Sequence, residues 1–323
     1  MRAIVAERAG GPEVLELREV EDPVPDPGEL LVETAAAGVN FIEIYQRSGV
    51  YRMPYPLIPG SEGAGTVVAL GDGVTGFGVG DRVATAAATG AAGTYAERFV
   101  VPAEQAARVP DGVDLSTAAA LPLQGCTAHY LATSAARPQP GDTVLVHAGA
   151  GGVGLLLTQL LTARGVRVLT TASNDEKRGL SREAGAAESF GYEGFADRAR
   201  ELTGGEGVAV VYDGVGRDTF DESLRALRVR GELVLFGGAS GQVPPFDLQR
   251  LNAGGSLSVT RPSLTHFMRT PEEREWRYRE LFEALLDGSL RLRIGERFAL
   301  ADAADAHRAL AGRGTTGKLI LVP

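Results

Sequence analysis

The sequence predicts an α/β protein in which a doubly wound parallel sheet accompanies a smaller, β-rich domain. Three observations predict it. Residues 143–148 form a short apolar strand that runs directly into Gly149-x-Gly151-x-x-Gly154. From about residue 123 strand and helix patterns alternate, which is the rhythm of parallel βαβ units. Before that point, short apolar runs are separated by Pro and Gly turns, the pattern of a small barrel or sandwich. A chain of 323 residues has room for two such cores.

In the first 110 residues the expected strands are Glu29–Thr34, Gly65–Leu70, Asp81–Ala86 and Tyr95–Val101. Turns at Asp26-Pro-Gly, Gly71-Asp-Gly and Gly78-Val-Gly separate them, and one helix is expected at Phe41–Arg47. The second region places strands at Thr143–Ala148, Val166–Thr171, Val208–Tyr212, Glu232–Phe236 and Ser256–Thr260. Helices are expected between them at 152–164, 174–185, 194–203 and 218–228. An amphipathic helix at Pro271–Leu286, a strand near 290–294, a helix at 301–311 and a strand at Gly317–Val322 follow. That tail most easily completes the first domain. The expected division is therefore 1–122 with 263–323 for the β-rich catalytic domain, and 123–262 for the doubly wound one.

The glycine run has the strand before it and the helical leucines after it that a dinucleotide fingerprint needs. Gly149 is expected to allow the tight turn, Gly151 to admit a pyrophosphate, and Gly154 to let helix and strand pack closely. Phosphates then meet free N–H groups at the helix N-terminus, where the macrodipole favours negative charge. The next strand speaks to which dinucleotide. Its end carries Ser173 and Asn174, with Lys177 and Arg178 beyond, where an NAD enzyme usually places a carboxylate for the ribose hydroxyl. A carboxylate repels a 2′-phosphate, whereas a hydroxyl and a cation bind one. Lysine occurs only at 177 and 318 among 32 basic residues, which singles both out. The reading is NADPH, against the alternative that Lys177 is a solvated helix charge.

Composition narrows the remaining classes. A net charge of −9 argues against a general nucleic-acid or anionic-membrane surface. The single cysteine, Cys126, excludes an internal disulfide and suits a reducing compartment. No apolar leader opens the sequence and no run reaches transmembrane length, so a cytoplasmic location is expected.

Several runs together resemble one family: Gly11-Pro-Glu-Val-Leu15, Gly38-Val-Asn40, Arg47-Ser-Gly49, Pro59-Gly-Ser-Glu-Gly63, Gly80-Asp-Arg-Val83, His147–Gly154, Val211–Gly216 and Val259-Thr-Arg-Pro262. The chain is similar, over essentially its whole length, to the zinc-free NADPH:quinone oxidoreductases, the zeta-crystallin-like branch of the medium-chain dehydrogenase/reductases. The resemblance implies a chaperonin-10-like β-barrel domain, a Rossmann domain, a cleft between them, and a homodimer. Zinc dehydrogenases of that superfamily carry cysteine where this chain has Asn40, and histidine where it has Ser61. One cysteine cannot supply a structural zinc set, and His129, His147, His266 and His307 lack ligand spacing, so no metal is expected.

The resemblance also implies site residues. Asn40 and Tyr45 stand at the helix near the nicotinamide and acceptor. Asn40 as a helix cap and Tyr45 as core packing are the alternatives. Thr127 is expected on the nicotinamide side, with Gly149, Ala150, Gly151, Gly152 and Val153 at the pyrophosphate. Ser173, Lys177 and Tyr192 surround the 2′-phosphate, Tyr192 being open to a plain surface role. Val215, Phe236, Gly237, Ser240, Arg261 and Ser263 line the remainder, with Lys318 near the far end and Arg261 alternatively a dimer or salt-bridge residue. The implied reaction is hydride transfer from NADPH to a quinone, or to another small electrophilic acceptor such as an enone or enal. A different class, AU-rich RNA binding or a crystallin-like structural role, sits poorly with the acidic balance.

Overall fold

The computed structural model describes residues 1–87 and 93–323. The chain divides into two compact units, one of Met1–Gln124 with Thr270–Pro323, the other of Gly125–Arg269.

In the second unit six strands form one sheet. Their order is Glu188–Phe190, Arg167–Thr171, Thr143–Val146, Val208–Asp213, Leu227–Leu235 and Ser258–Thr260. Every neighbouring pair is parallel. The central Val208–Asp213 strand is buried along its whole length, as a strand covered on both faces must be. The Gly152–Ala163 helix is apolar around most of its surface and buries Leu155, Leu156, Leu157 and Leu161. Each such leucine contributes about 1.5–3 kcal/mol on leaving water. Phe195, Phe220, Leu224 and Leu227 close one core of the unit against Leu145, Leu169 and Val211.

The first unit holds a seven-stranded sheet. Ile294–Ala299 lies parallel to Lys318–Val322, which pairs antiparallel with Glu29–Val39. Gly63–Leu70, Arg82–Thr85 and Ala107–Arg108 continue it, and Arg98–Pro102 also pairs with Glu29–Val39. The C-terminal tail thus completes the β-rich unit. Two cores fill it, one around Ile4, Val39, Tyr95 and Leu321, the other around Leu30, Val67, Phe99 and Val101.

Several elements depart from the sequence expectation: the strands Arg2–Val5 and Glu16–Glu19 and the helices Leu115–Ala120, Pro122–Tyr130 and Gln249–Ala253 were not expected, and two further departures have a clear physical reason. No strand begins at 290, because Leu290 N–H returns to the Ala284 carbonyl at 2.9 Å and closes the preceding helix. Gly288, at φ 78°, makes that return possible, and the strand starts at Ile294. Glu188–Phe190 was not anticipated: three residues give too short a pattern to read.

Candidate active site

The glycine turn is built differently from expectation in one respect. The left-handed backbone falls on Ala148, at φ 52°, and not on Gly149. Gly149 is glycine for space, since a Cβ there would lie 2.6 Å from both Thr170 Cβ and Ser181 Oγ. Gly154 serves close packing as expected: its Cβ would sit 2.3 Å from the Ala148 carbonyl oxygen. At Gly151 the nearest atom inside the protein is 3.2 Å from such a Cβ, so internal packing alone does not demand glycine. Ala150 is buried in the turn, and Gly152 and Val153 open the helix half-buried. No side chain caps that helix N-terminus, leaving its first N–H groups to an external acceptor.

Ser173 is exposed just past the end of the Arg167–Thr171 strand. Asn174 is spent as a cap, accepting the Lys177 N–H at 2.9 Å. Lys177 itself is largely buried, and that burial pulls its pKa down against the pull of Glu176. Tyr192 does more than lie on the surface, since its hydroxyl accepts the Ala148 N–H at 3.2 Å and so braces the turn. Val215 and Ser240 are buried together: the Ser240 hydroxyl donates to the Val215 carbonyl at 2.8 Å and accepts Asp218 N–H at 3.0 Å. Phe236 and Gly237 pack on Gly214, where a Cβ would come within 2.8 Å of the Phe236 ring. Thr127 is buried, whereas Arg261 and Ser263 are exposed.

In the β-rich unit, strand register assembles a buried polar cluster. Leu319 pairs with Val39, so Lys318 arrives beside Asn40. The Lys318 ammonium donates to Asn40 Oδ1 at 2.6 Å and to Glu62 Oε2. Asn40 Nδ2 donates to the same Glu62 oxygen at 3.0 Å, and Glu62 Oε1 accepts Leu123 N–H at 2.7 Å. An ammonium on one side and a carboxylate on the other fix which end of the amide faces which. Gly38 makes room for the pair, since a Cβ there would lie 2.0 Å from Glu62 Oε2. Lys318, expected near the far end of a cofactor, is buried and holds Asn40.

Glu43 completes the cluster. It accepts Asn40 N–H at 2.8 Å and Ser61 N–H at 3.0 Å, tying the helix start to the Pro59–Gly63 loop. Burial pushes its carboxyl up to about 7, against the lowering effects of Lys318 and the Ser61 N–H. Glu43 and Glu62 were missed in the sequence. The signal for Glu43 was there, an Asn followed three residues later by Glu, as in a capping box. Tyr45 is half-buried on that helix, its ring 5.4 Å from Tyr51 and 6.2 Å from Phe41.

Two family models match the chain, "Alcohol dehydrogenase GroES-like domain" over residues 26–111 and "Zinc-binding dehydrogenase" over residues 152–282. The residues at the ligand positions do not fit zinc. Asn40 is bonded to the Lys318 ammonium, so a cation already sits against it, and at the other position Ser61 offers no imidazole. Among the described residues no group of three or more His, Cys, Asp or Glu is placed to hold a metal ion. None of the described helices is long and apolar enough to cross a membrane.

The chain is 39% identical to Escherichia coli quinone oxidoreductase solved with NADPH, covering all of both chains at a TM-score of 0.97. A mycobacterial structure complexed with NADPH is 53% identical over all of both chains, also at 0.97. A quinone oxidoreductase of Pseudomonas aeruginosa is 47% identical over 319 residues, 97% of each chain. With likeness of this degree over its full length, the chain belongs to the quinone oxidoreductase family of the medium-chain dehydrogenase/reductase superfamily.

Proposed function

We propose that this chain is a zinc-independent quinone reductase that uses NADPH. One observation carries the reading: the glycine turn leads into a helix N-terminus with no side-chain cap, and the next strand is followed by exposed Ser173, not a carboxylate, at the ribose position, with Lys177 four residues on. The NADPH-bound relatives support it. Gly152 and Val153 bind the pyrophosphate through backbone N–H groups, while Gly151, whose own N–H is bonded to the Ala148 carbonyl at 2.8 Å, lets it come close to the turn. Ser173 and Lys177 hold the 2′-phosphate, and Tyr192 keeps the turn in place beside them. Thr127, Val215, Phe236, Gly237, Ser240, Arg261 and Ser263 form the rest of the cofactor surface of their unit.

Bound NADPH supplies a hydride, and the protein supplies position and charge. Lys318 and Glu62 hold the Asn40 amide in one orientation for the nicotinamide end. Tyr45 donates a hydrogen bond to the negative charge that develops on the acceptor oxygen. The protein works in the cytoplasm as a homodimer.

Steady-state turnover with NADPH and NADH over a panel of quinones and enones tests this reading. Quinone turnover with a marked NADPH preference is expected. Equal efficiency with both cofactors, or turnover of enones alone, would refute it.

A further inference from the structure

The carboxyl ends of three adjacent strands, Arg167–Thr171, Thr143–Val146 and Val208–Asp213, are joined by one run of buried side chains. His147 Nδ1 lies 2.8 Å from Thr171 Oγ1, and its Nε2 lies 2.9 Å from Ser223 Oγ. Ser223 donates to Asp213 Oδ2 at 3.1 Å, and Thr219 Oγ1 donates to the same oxygen at 2.7 Å. Asp213 Oδ1 accepts the N–H groups of Val215 at 2.8 Å and Gly216 at 2.9 Å. His147, Thr171, Ser223 and Asp213 are each at most 1% exposed.

The donors settle the tautomer. Ser223 spends its proton on Asp213 and so accepts from His147 Nε2–H. Nδ1 is then the acceptor, and Thr171 donates to it. The run has one direction, from Thr171 through His147 and Ser223 to Asp213. Burial holds the imidazole below its usual pKa, with Asp213 opposing, which favours the neutral ring this direction requires.

Each end of the run controls a loop. Thr171 is two residues before Ser173, and His147 is two before Gly149. Asp213 holds the Gly214–Gly216 loop, which packs on Phe236 and Gly237. In a doubly wound sheet a dinucleotide lies beyond the carboxyl ends of the strands, where these loops are. We propose that His147 is a positioning residue for NADPH: it sets the spacing of the glycine turn, the Ser173 loop and the Gly214–Gly216 loop, so that the pyrophosphate and the 2′-phosphate are held at once. A ligand fixed at both places gains the second contact only where the spacing is already correct. This inference rests on the NADPH reading above.

Binding titrations of NADPH and NADH, with melting curves, test it on Thr171→Val, Thr171→Ser and His147→Gln. His147→Gln keeps a donor toward Ser223 and loses the acceptor at Thr171. Thr171→Val and His147→Gln are expected to raise the NADPH Kd about tenfold, or about 1.4 kcal/mol. The NADH Kd should move by no more than about twofold, so the preference collapses, and kcat at saturating NADPH should hold. Thr171→Ser, which keeps the hydroxyl, should restore the preference. Lower melting temperatures with both Kd values unchanged, or equal weakening of both cofactors, would reduce His147 to a structural core residue. A wild-type protein that binds neither cofactor, or shows no preference, brings down the NADPH reading itself.

Discussion

At the residue scale, charge placement decides most of the expected behaviour. Lys177→Glu puts a carboxylate beside the proposed 2′-phosphate position. Loss of a charge-assisted hydrogen bond costs about 1.5–3 kcal/mol, so the NADPH KM should rise about tenfold to over a hundredfold. NADH use should be unchanged or improved, which steady-state kinetics with both cofactors will check. Lys318 poses a different problem, because it and Glu62 are both buried and bonded to each other. Lys318→Met leaves a carboxylate without its cation, and breaking a buried pair costs about 3–5 kcal/mol. Pairing it with Glu62→Gln removes the orphaned charge, so the double variant should melt above the single one. A single variant with a wild-type melting temperature would mean that the ion pair contributes nothing to folding. Tyr45→Phe keeps the ring contacts with Phe41 and Tyr51 and removes only the hydroxyl. Its kcat should fall with little change in melting temperature, because a contact made in the transition state acts on rate.

At the scale of the element, the Phe41–Arg47 helix owes its start to two side chains, and one of them titrates. Glu43 closes the helix start by accepting Asn40 N–H, and it reaches Ser61 N–H as well. Its carboxyl is raised from 4.5 in the unfolded chain to about 7 when folded. The folded protein therefore binds the proton more tightly. That contribution is fully present below about 4.5 and is lost as pH rises through about 7. A shift of that size corresponds to roughly 3 kcal/mol. Glu43→Gln should flatten the fall in melting temperature between those pH values, and an unchanged slope in the variant would assign it to other groups.

How much of this was legible in the sequence follows from which interactions are local. The Phe41–Arg47 helix and the Pro271–Leu286 helix carry their own boundaries, Asn40 before one and Thr270 with Pro271 before the other. The glycine turn carried its own context of strand and helix. The Asn40 cluster did not, because Lys318 reaches Asn40 only through strand register 278 residues away in the chain. No spacing rule encodes that distance. The His147 run was hidden for the same reason, since Ser223 lies 76 residues from the ring it accepts from. Ala148 taking the left-handed conformation beside a glycine was likewise unreadable, since a spacing pattern of glycines does not say which residue of the turn carries the positive φ.

At the scale of the whole molecule, the proposed cofactor and the absent zinc fit make opposite predictions for stability. A ligand that binds only the folded state stabilises it by about 2.7 kcal/mol at a hundred times its Kd. For a chain of this size each kcal/mol moves the melting temperature by about 2–4 °C or somewhat less. Saturating NADPH should therefore raise the melting temperature by several degrees, and NADH should raise it less at equal concentration. Zinc should do neither. Of the family's ligand positions, Asn40 is bonded to the buried Lys318 ammonium and Ser61 carries no imidazole, so a divalent ion there meets a positive charge and a poor donor set. Elemental analysis of the purified protein should find no stoichiometric zinc, and a strong chelator should leave both turnover and melting temperature unchanged. Inactivation by chelator with recovery on zinc addition would overturn this. It would require Lys318 to leave Asn40, and so it would also remove the argument that the ammonium orients the amide.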